Sequence, residues 1–268
     1  MKKQKNIKDR VFLFAKILKQ LVAENGLLRT MRFSAYRLAR VDTPVHLNVG
    51  GLPLMLRATN QDFNVAWDCI IRREFQELVR YTSPLDIKFV IDAGGYIGTS
   101  AIVFANIFPN ATIVSLEPSY ENFVLLCQNV RNFRNIVPFN VALVSSDREV
   151  VLYDRGTGHW GFTIYPGHAE RPLKKLHSVP GVCIQTLMDK FEKKQIDVLK
   201  MDIEGGEKEI LSNSERWLPI TNVVIAELHD RIVPGCSTAF ELATEGMTRE
   251  RLSKDKRIAL RQMGDVSA

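Results

Sequence analysis

The stretch VIDAGGYIG, residues 90–98, combines a buried-strand pattern, an acid at its end, and glycines that turn the chain into a helix. Phe89, Val90 and Ile91 form the short apolar run of a strand covered on both faces, as in a parallel sheet. Gly94 and Gly95 allow a turn that side chains would block, and Gly98 lets the next helix lie close to the strand. Ala93, Gly95 and Gly98 nearly match the dinucleotide pattern, with alanine in place of its first glycine. Glu117 follows 19 residues after Gly98, where a ribose-binding acid belongs.

Asp92 decides between cofactors. A carboxylate at the strand end repels a pyrophosphate, which wants bare backbone donors and a helix N-terminus. S-adenosyl-L-methionine carries a cationic amino group and a sulfonium and no phosphate, so the same acid favours it. Glu117 closes the next strand, Pro118 stops it, and a carboxylate there can accept two hydrogen bonds from vicinal ribose hydroxyls. The competing reading is that Asp92 and Glu117 only cap the helices that follow. Both acids at consecutive strand ends, with Gly94, Gly95 and Gly98 between them, favour the cofactor, because ligands of open α/β sheets sit at those ends.

The chain has 268 residues, 46% hydrophobic and 25% charged, enough for one large α/β domain with an extension. Cys69, Cys127, Cys183 and Cys236 include no C-x-x-C pair, and no cleavable signal or membrane span is legible. Reduced thiols and a cytoplasmic location, peripheral to a membrane at most, are expected. Residues 1–40 hold eleven Lys or Arg against Asp9 and Glu24, a balance of +9, so the remaining 228 residues carry −3 of the total +6. Within this basic arm VFLFAKILKQLVAENGLL reads as an amphipathic helix with Val11, Phe14, Ile17, Leu18, Leu21 and Val22 on or near one face. It either attaches to an anionic membrane surface or polyanionic partner, or folds onto the domain with its lysines in water, which is the preferred reading.

Residues 41–86 read as a hairpin turning at Gly50 and Gly51, then a helix from Phe63 to Tyr81. From residue 87 strand and helix alternate, which predicts a doubly wound, mostly parallel sheet. Val144 and Glu149 to Tyr153 predict a short antiparallel excursion. Arg155 to Pro180, with His159, His168 and His177, reads as a mobile surface loop with Trp160 and Phe162 as platforms for an acceptor. Residues 247–262 are expected to close the sheet as an antiparallel hairpin around Lys254 and Asp255.

Ile196 to Met201 is a second buried strand, ending at Asp202, followed by Ile203, Glu204, Gly205, Gly206 and Glu207. A further strand, Val223 to Ala226, ends in Glu227, Leu228 and His229, and alternation sends Glu227 and His229 to one side. His229 titrates near neutrality and is the first candidate for a general base, with Asp202 and Glu227 orienting an acceptor. Glu204 and Glu207 either face the site or favour a helix N-terminus, and Lys200 is placed to pair with a carboxylate. Asp202, Glu227 and His229 suit a divalent ion in ligand type, but no fourth ligand stands at diagnostic spacing, so no metal is expected.

With VIDAGGYIG, SLEPS at 115–119, NVAL at 140–143, DVLKMDIEGGE at 197–207 and IAELH at 225–229 in order, residues 60–262 resemble the FkbM family of S-adenosylmethionine-dependent methyltransferases. The first two motifs fit any class I methyltransferase, whereas the K-x-D-x-E-G-x-E run followed by E-x-H is specific. The resemblance implies a Rossmann-like methyltransferase domain over 87–268 and methylation of a hydroxyl on a sugar, glycan or natural product. Pro118 and Ala142, in the SLEPS and NVAL motifs, complete the expected cofactor contacts, and Glu204 of the turn after Asp202 and Trp160 of the loop are the expected acceptor contacts. The basic arm lies outside it. A nucleic-acid methyltransferase is the rival, disfavoured because positive charge is confined to the arm and neither an N-P-P-Y motif nor a Pro-Cys pair is present. A non-catalytic cofactor-binding protein is the other alternative, and oligomeric state has no readable signal.

Overall fold

Short segments of four to seven residues, most of them largely apolar, build the central sheet of the computed structural model. Residues 7–59, 61–166 and 173–261 are described, with side chains from residue 15 onward. The chain divides into two units, Met1–Glu74 and Phe75–Ala268.

In the first unit helix α1 (Ile7–Leu38) bends where Gly26 takes a φ of 73°. Strands β1 (Pro44–Val49) and β2 (Leu52–Arg57) pair antiparallel through the Gly50–Gly51 turn, both glycines at positive φ, as the hairpin reading expects. Helix α2 (Asp62–Ala66) runs into a π-helical turn over Trp67–Ile71. The continuous helix expected to Tyr81 is broken. Arg73 adopts a φ of 55°, which ends the ladder, and only a 3₁₀ turn over Gln76–Arg80 follows, in the second unit. The expected boundaries at 40 and 86 therefore differ from the observed division after Glu74. Of the predicted apolar face of the arm, Leu21 is buried, Ile17 and Val22 are half-buried and Leu18 is exposed. The side chains of Val11 and Phe14 lie outside the described residues.

The second unit contains β3 (Phe89–Ala93), α3 (Thr99–Ile107), β4 (Thr112–Leu116), α4 (Tyr120–Val130), β5 (Ile136–Phe139), β6 (Ala142–Leu143), β7 (Arg148–Asp154), β8 (Lys174–Val182), α5 (Ile184–Lys190), β9 (Ile196–Met201), α6 (Glu207–Leu211), β10 (Thr221–Glu227), α7 (Cys236–Ala243), β11 (Thr248–Arg251) and β12 (Lys256–Leu260). Seven strands form one sheet in the order β11-β12-β10-β9-β3-β4-β5. The pairs from β10 to β5 are parallel, and β12 joins β10 and β11 antiparallel, giving the expected terminal hairpin. Every residue of β3 and β9 is buried, so the sheet centre is covered on both faces. Phe89, Ile91, Leu199, Met201, Val224 and Phe240 lie in one continuous core.

A separate sheet is ordered β6-β8-β7, and its β8 takes in residues 174–180 of the span 155–180 expected to be a mobile loop, of which 167–172 lie outside the described residues. Its antiparallel β7–β8 ladder satisfies the backbone of residues that lack a clean hydrophobic period. Val144 is not in a strand, although its N–H donates to the Val182 carbonyl. His168 lies outside the described residues.

Candidate active site

Two turns at the carboxyl ends of adjacent strands build the site. In parallel register Asp92 on β3 stands beside Ser115 on β4 and Lys200 on β9. Its carboxylate is fully buried, accepts from Ser115 Oγ at 2.8 Å and Ser100 Oγ at 2.9 and 3.0 Å, and lies 3.2 Å from Lys200 Nζ. Lys200 also donates to the carbonyls of Ala93 and Gly94, at 3.2 and 2.7 Å. The cation that meets Asp92 here is Lys200, contrary to the expectation that this acid waits for a cofactor charge. With that charge compensated, electrostatic exclusion of a pyrophosphate no longer follows from Asp92.

The three glycines are sterically required, though the close approach at Gly98 is to α4 rather than to the strand. A Cβ on Gly94 would run into the Asp202 carbonyl, and one on Gly95 would strike Ser115 Oγ and come within 2.8 Å of Leu126. Gly98 caps α3 in a left-handed conformation, and a Cβ there would meet Val130 at 2.9 Å, so glycine sets the close approach of α3 and α4. Tyr96, with a φ of 50°, directs its N–H to Glu117 Oε2 at 2.8 Å. Glu117 Oε1 accepts from Ser119 N at 2.8 Å and more weakly from Asn122 Nδ2 at 3.3 Å. Burial pushes Glu117 up to about 7 despite these donors. The Pro118 carbonyl accepts from Asn140 Nδ2 and is 3.2 Å from His177 Nε2, while Ala142 is buried in β6 opposite Gly181.

The second turn follows β9. Glu204 takes a φ of 50° and Gly205 one of 105°, a conformation that turns the chain back so that Glu207 reaches into it. Glu207 is fully buried and accepts from Ile203 N at 2.9 Å, Gly205 N at 3.0 Å and His229 Nδ1 at 2.9 Å. This leaves His229 Nε2, itself buried, with no hydrogen-bond partner, the only such side-chain atom among the described residues. It faces Glu204 Oε1 at 3.5 Å, Asp202 Oδ1 at 3.8 Å and Glu227 Oε1 at 3.9 Å. The structure thus brings together Asp202, Glu204, Glu227 and His229.

The charges in this cluster are set by their neighbours. Burial depresses the His229 pKa, but the Glu207 hydrogen bond and the charges of Glu207, Asp202 and Glu204 outweigh it and bring it to about 9. Burial raises Glu204 to about 7, although His229, Arg231 and Arg155 oppose it. Its Oε2 lies 2.9 Å from Arg155 and 3.7 Å from Arg231. The charge of Asp202 pushes Glu227 upward, while Lys256, 3.3 Å away, pulls against that push. Burial works against ionised Asp202 too, but Lys200, His229 and Lys256 hold it below the ordinary range. One ligand atom each from Asp202, Glu227 and His229 lie within 4.8 Å of one another, a donor set able to hold a divalent ion.

Trp160 is about one third exposed on the His159–Gly161 turn. That turn is anchored: Asn122 Nδ2, which also bonds Glu117, donates to the His159 carbonyl at 2.9 Å. Thr163 Oγ1 donates to the Glu204 carbonyl at 2.7 Å, and Tyr165 bonds Glu209. The segment therefore ties the two turns together. Sequence reasoning missed Lys256, whose role depends on the sheet closing, and Arg155, which directly follows β7, and left Glu207 undecided between site and helix end.

A profile described as the methyltransferase FkbM domain matches residues 92–242, which contain every turn residue of both strand ends. The chain belongs to the FkbM methyltransferase family. Among curated relatives, "Methyltransferase 1" of Beauveria bassiana (strain ARSEF 2860) is 28% identical over 163 residues, covering 52% of this chain and 64% of that protein. "Hexuronic acid methyltransferase AglP" of Haloferax volcanii is 24% identical over 203 residues, covering 75% and 80%. Among solved structures, a methyltransferase FkbM from Methylobacillus flagellatus KT aligns with a TM-score of 0.41 at 11% identity, covering 66% of this chain and 44% of that one. M. jannaschii TYW2 in complex with AdoMet aligns at 0.44 and 10%, covering 82% and 85%. The sheet order observed here, with its antiparallel closing hairpin, is that of a class I, Rossmann-like FkbM methyltransferase.

Proposed function

We propose that this FkbM-family chain transfers a methyl group from S-adenosyl-L-methionine to a hydroxyl of a sugar, glycan or hydroxylated natural product, with His229 as the base. The observation that carries the reading is the His229 Nε2 atom, buried, unpartnered and aimed at three carboxylates, while Glu207 fixes the other ring nitrogen. Such an atom serves a reacting group better than it serves folding, because an unpaired buried polar atom costs about 1 to 3 kcal/mol.

The cofactor would lie against Gly94, Gly95 and Gly98 and reach Glu117, with Pro118 and Ala142 bordering it. Glu117 fits a ribose diol: Oε2 has one protein donor and a lone pair to spare, and the long Asn122 bond to Oε1 is the contact that yields. When bound, S-adenosyl-L-methionine supplies the electrophilic methyl group. Asp92 acts beneath the turn, holding Lys200 and through it the Ala93 and Gly94 carbonyls. On the acceptor side Asp202 and Glu227 hold and align the hydroxyl, and Glu204 and Trp160 contact the rest of the acceptor. Neutral His229 takes the hydroxyl proton on Nε2, and Glu207 stabilises the resulting imidazolium.

The name of the Haloferax relative supports a sugar acid as the first acceptor to test, with Arg155 and Arg231, both beside Glu204, as candidates to meet its carboxylate. Labelled S-adenosylmethionine should be incubated with hexuronic acids, neutral sugars and hydroxylated polyketides, with and without chelator. Methylation of a sugar-class acceptor at unchanged rate in chelator supports the proposal. Transfer only to nucleic acid, or binding without transfer to anything, would overturn it.

A further inference from the structure

Beyond the kink at Gly26, α1 presents two apolar faces. Thr30 and Phe33, 2% and 4% exposed, face inward, with the Phe33 ring 5.7 Å from Phe63, which itself lies 5.6 Å from Trp67. A surface helix needs only this one face to be held. On the other side Leu27, Leu28, Met31 and Leu38 are 61%, 84%, 58% and 86% exposed, with Ala35 exposed between them. Their spacing of i, i+1, i+4, i+8 and i+11 puts them on one stripe. Exposed Arg32 flanks it, exposed Arg29, Arg37 and Arg40 lie further round the chain, and no Asp or Glu occurs between Glu24 and Asp42.

We propose that this stripe lies on an anionic membrane surface, with the four large apolar side chains in the headgroup and acyl boundary, Arg32 at its flank on lipid phosphates and carboxylates, and the net positive charge of the arm drawing it to the surface. Charge selects this occupant. Residues 1–40 carry a net +9, so pairing two copies of the stripe would bring like charges together, whereas an anionic bilayer offers opposite charge and an apolar layer at the same surface. A nucleic acid would satisfy the arginines and leave the leucines in water. No described helix is long and apolar enough to cross a membrane, so attachment is peripheral.

The test is co-sedimentation of the full chain with phosphatidylcholine vesicles containing about 30% phosphatidylglycerol, and with pure phosphatidylcholine vesicles, at low and moderate salt. The comparison variant is the Leu28→Ser, Met31→Ser double substitution, whose sites are exposed and whose fold is checked by circular dichroism. Binding to the anionic vesicles that weakens with salt and falls at least about tenfold in the double variant supports the proposal. Absent binding, or binding unchanged by the double substitution, would overturn it. So would a dimer of the parent that the double substitution dissociates, or a preference for RNA over vesicles.

Discussion

Glu207 accepts a hydrogen bond from His229 Nδ1 at 2.9 Å while both side chains are buried, and this contact orients the imidazole and is the strongest of the influences that raise its pKa. Two backbone N–H groups, from Ile203 and Gly205, hold the carboxylate in place, so the ring is oriented by the turn after β9 rather than by its own strand. Asp202, Glu204 and Glu227 then surround Nε2.

Removing the Glu207 charge should lower the His229 pKa from about 9, because the hydrogen bond and charge of Glu207 are the strongest influences raising it. Glu207→Gln is therefore expected to move the ascending limb of the methyl-transfer pH profile to lower pH, in step with the imidazole titration followed by NMR. A variant that loses rate equally at every pH would show Glu207 to be structural only.

Glu117, at about 7, changes charge across neutrality. Ribose hydroxyls donate to the carboxylate form, so affinity for S-adenosylmethionine should rise as pH passes from about 6 to about 8. Glu117→Gln should bind more weakly and lose that dependence, since a charge-assisted hydrogen bond contributes about 1.5 to 3 kcal/mol and an amide only partly copies it. Calorimetric titration at several pH values checks this. Unchanged affinity with a normal melting curve in Glu117→Ala would make Glu117 a cap.

Lys200→Met should be among the most damaging single changes, leaving Asp92 buried with no opposing charge at a cost of about 3 to 5 kcal/mol. Adding Asp92→Asn should recover a large part of that loss in urea denaturation. Additive losses in the double variant would mean the pair does not interact.

Much of this was legible before the structure because period and punctuation dictate it. The buried, mostly apolar β3 and β9, the glycine turns that follow them and the Glu227–His229 alternation need only local geometry. The partners of Asp92 were not legible, since Ser115 and Lys200 reach it through register between strands far apart in sequence. Lys200 two positions before the strand end was a clue to its pairing, but not to which acid. The helix drawn from Phe63 to Tyr81 failed because apolar spacing carries no information on the positive φ at Arg73. The described parts of the span expected to be a mobile loop are a strand and an anchored turn, because the bonds of that turn run to Asn122, Glu204 and Glu209 rather than to neighbours in sequence.

The central claim is that neutral His229 removes the acceptor proton. Single-turnover methyl transfer to the acceptor found in the panel, measured from about pH 6 to about pH 10 in the parent and in His229→Gln, tests it most directly. The parent rate should climb as His229 loses its proton near 9, while the stability that the charged ring contributes is complete below its unfolded value of 6.5 and is lost through that same rise. His229→Gln should be slower by about two to four orders of magnitude at the alkaline plateau, with unchanged cofactor affinity. A parental rate that is flat across this range, or a glutamine variant as fast as the parent, would contradict the account and move the base to Asp202 or Glu227.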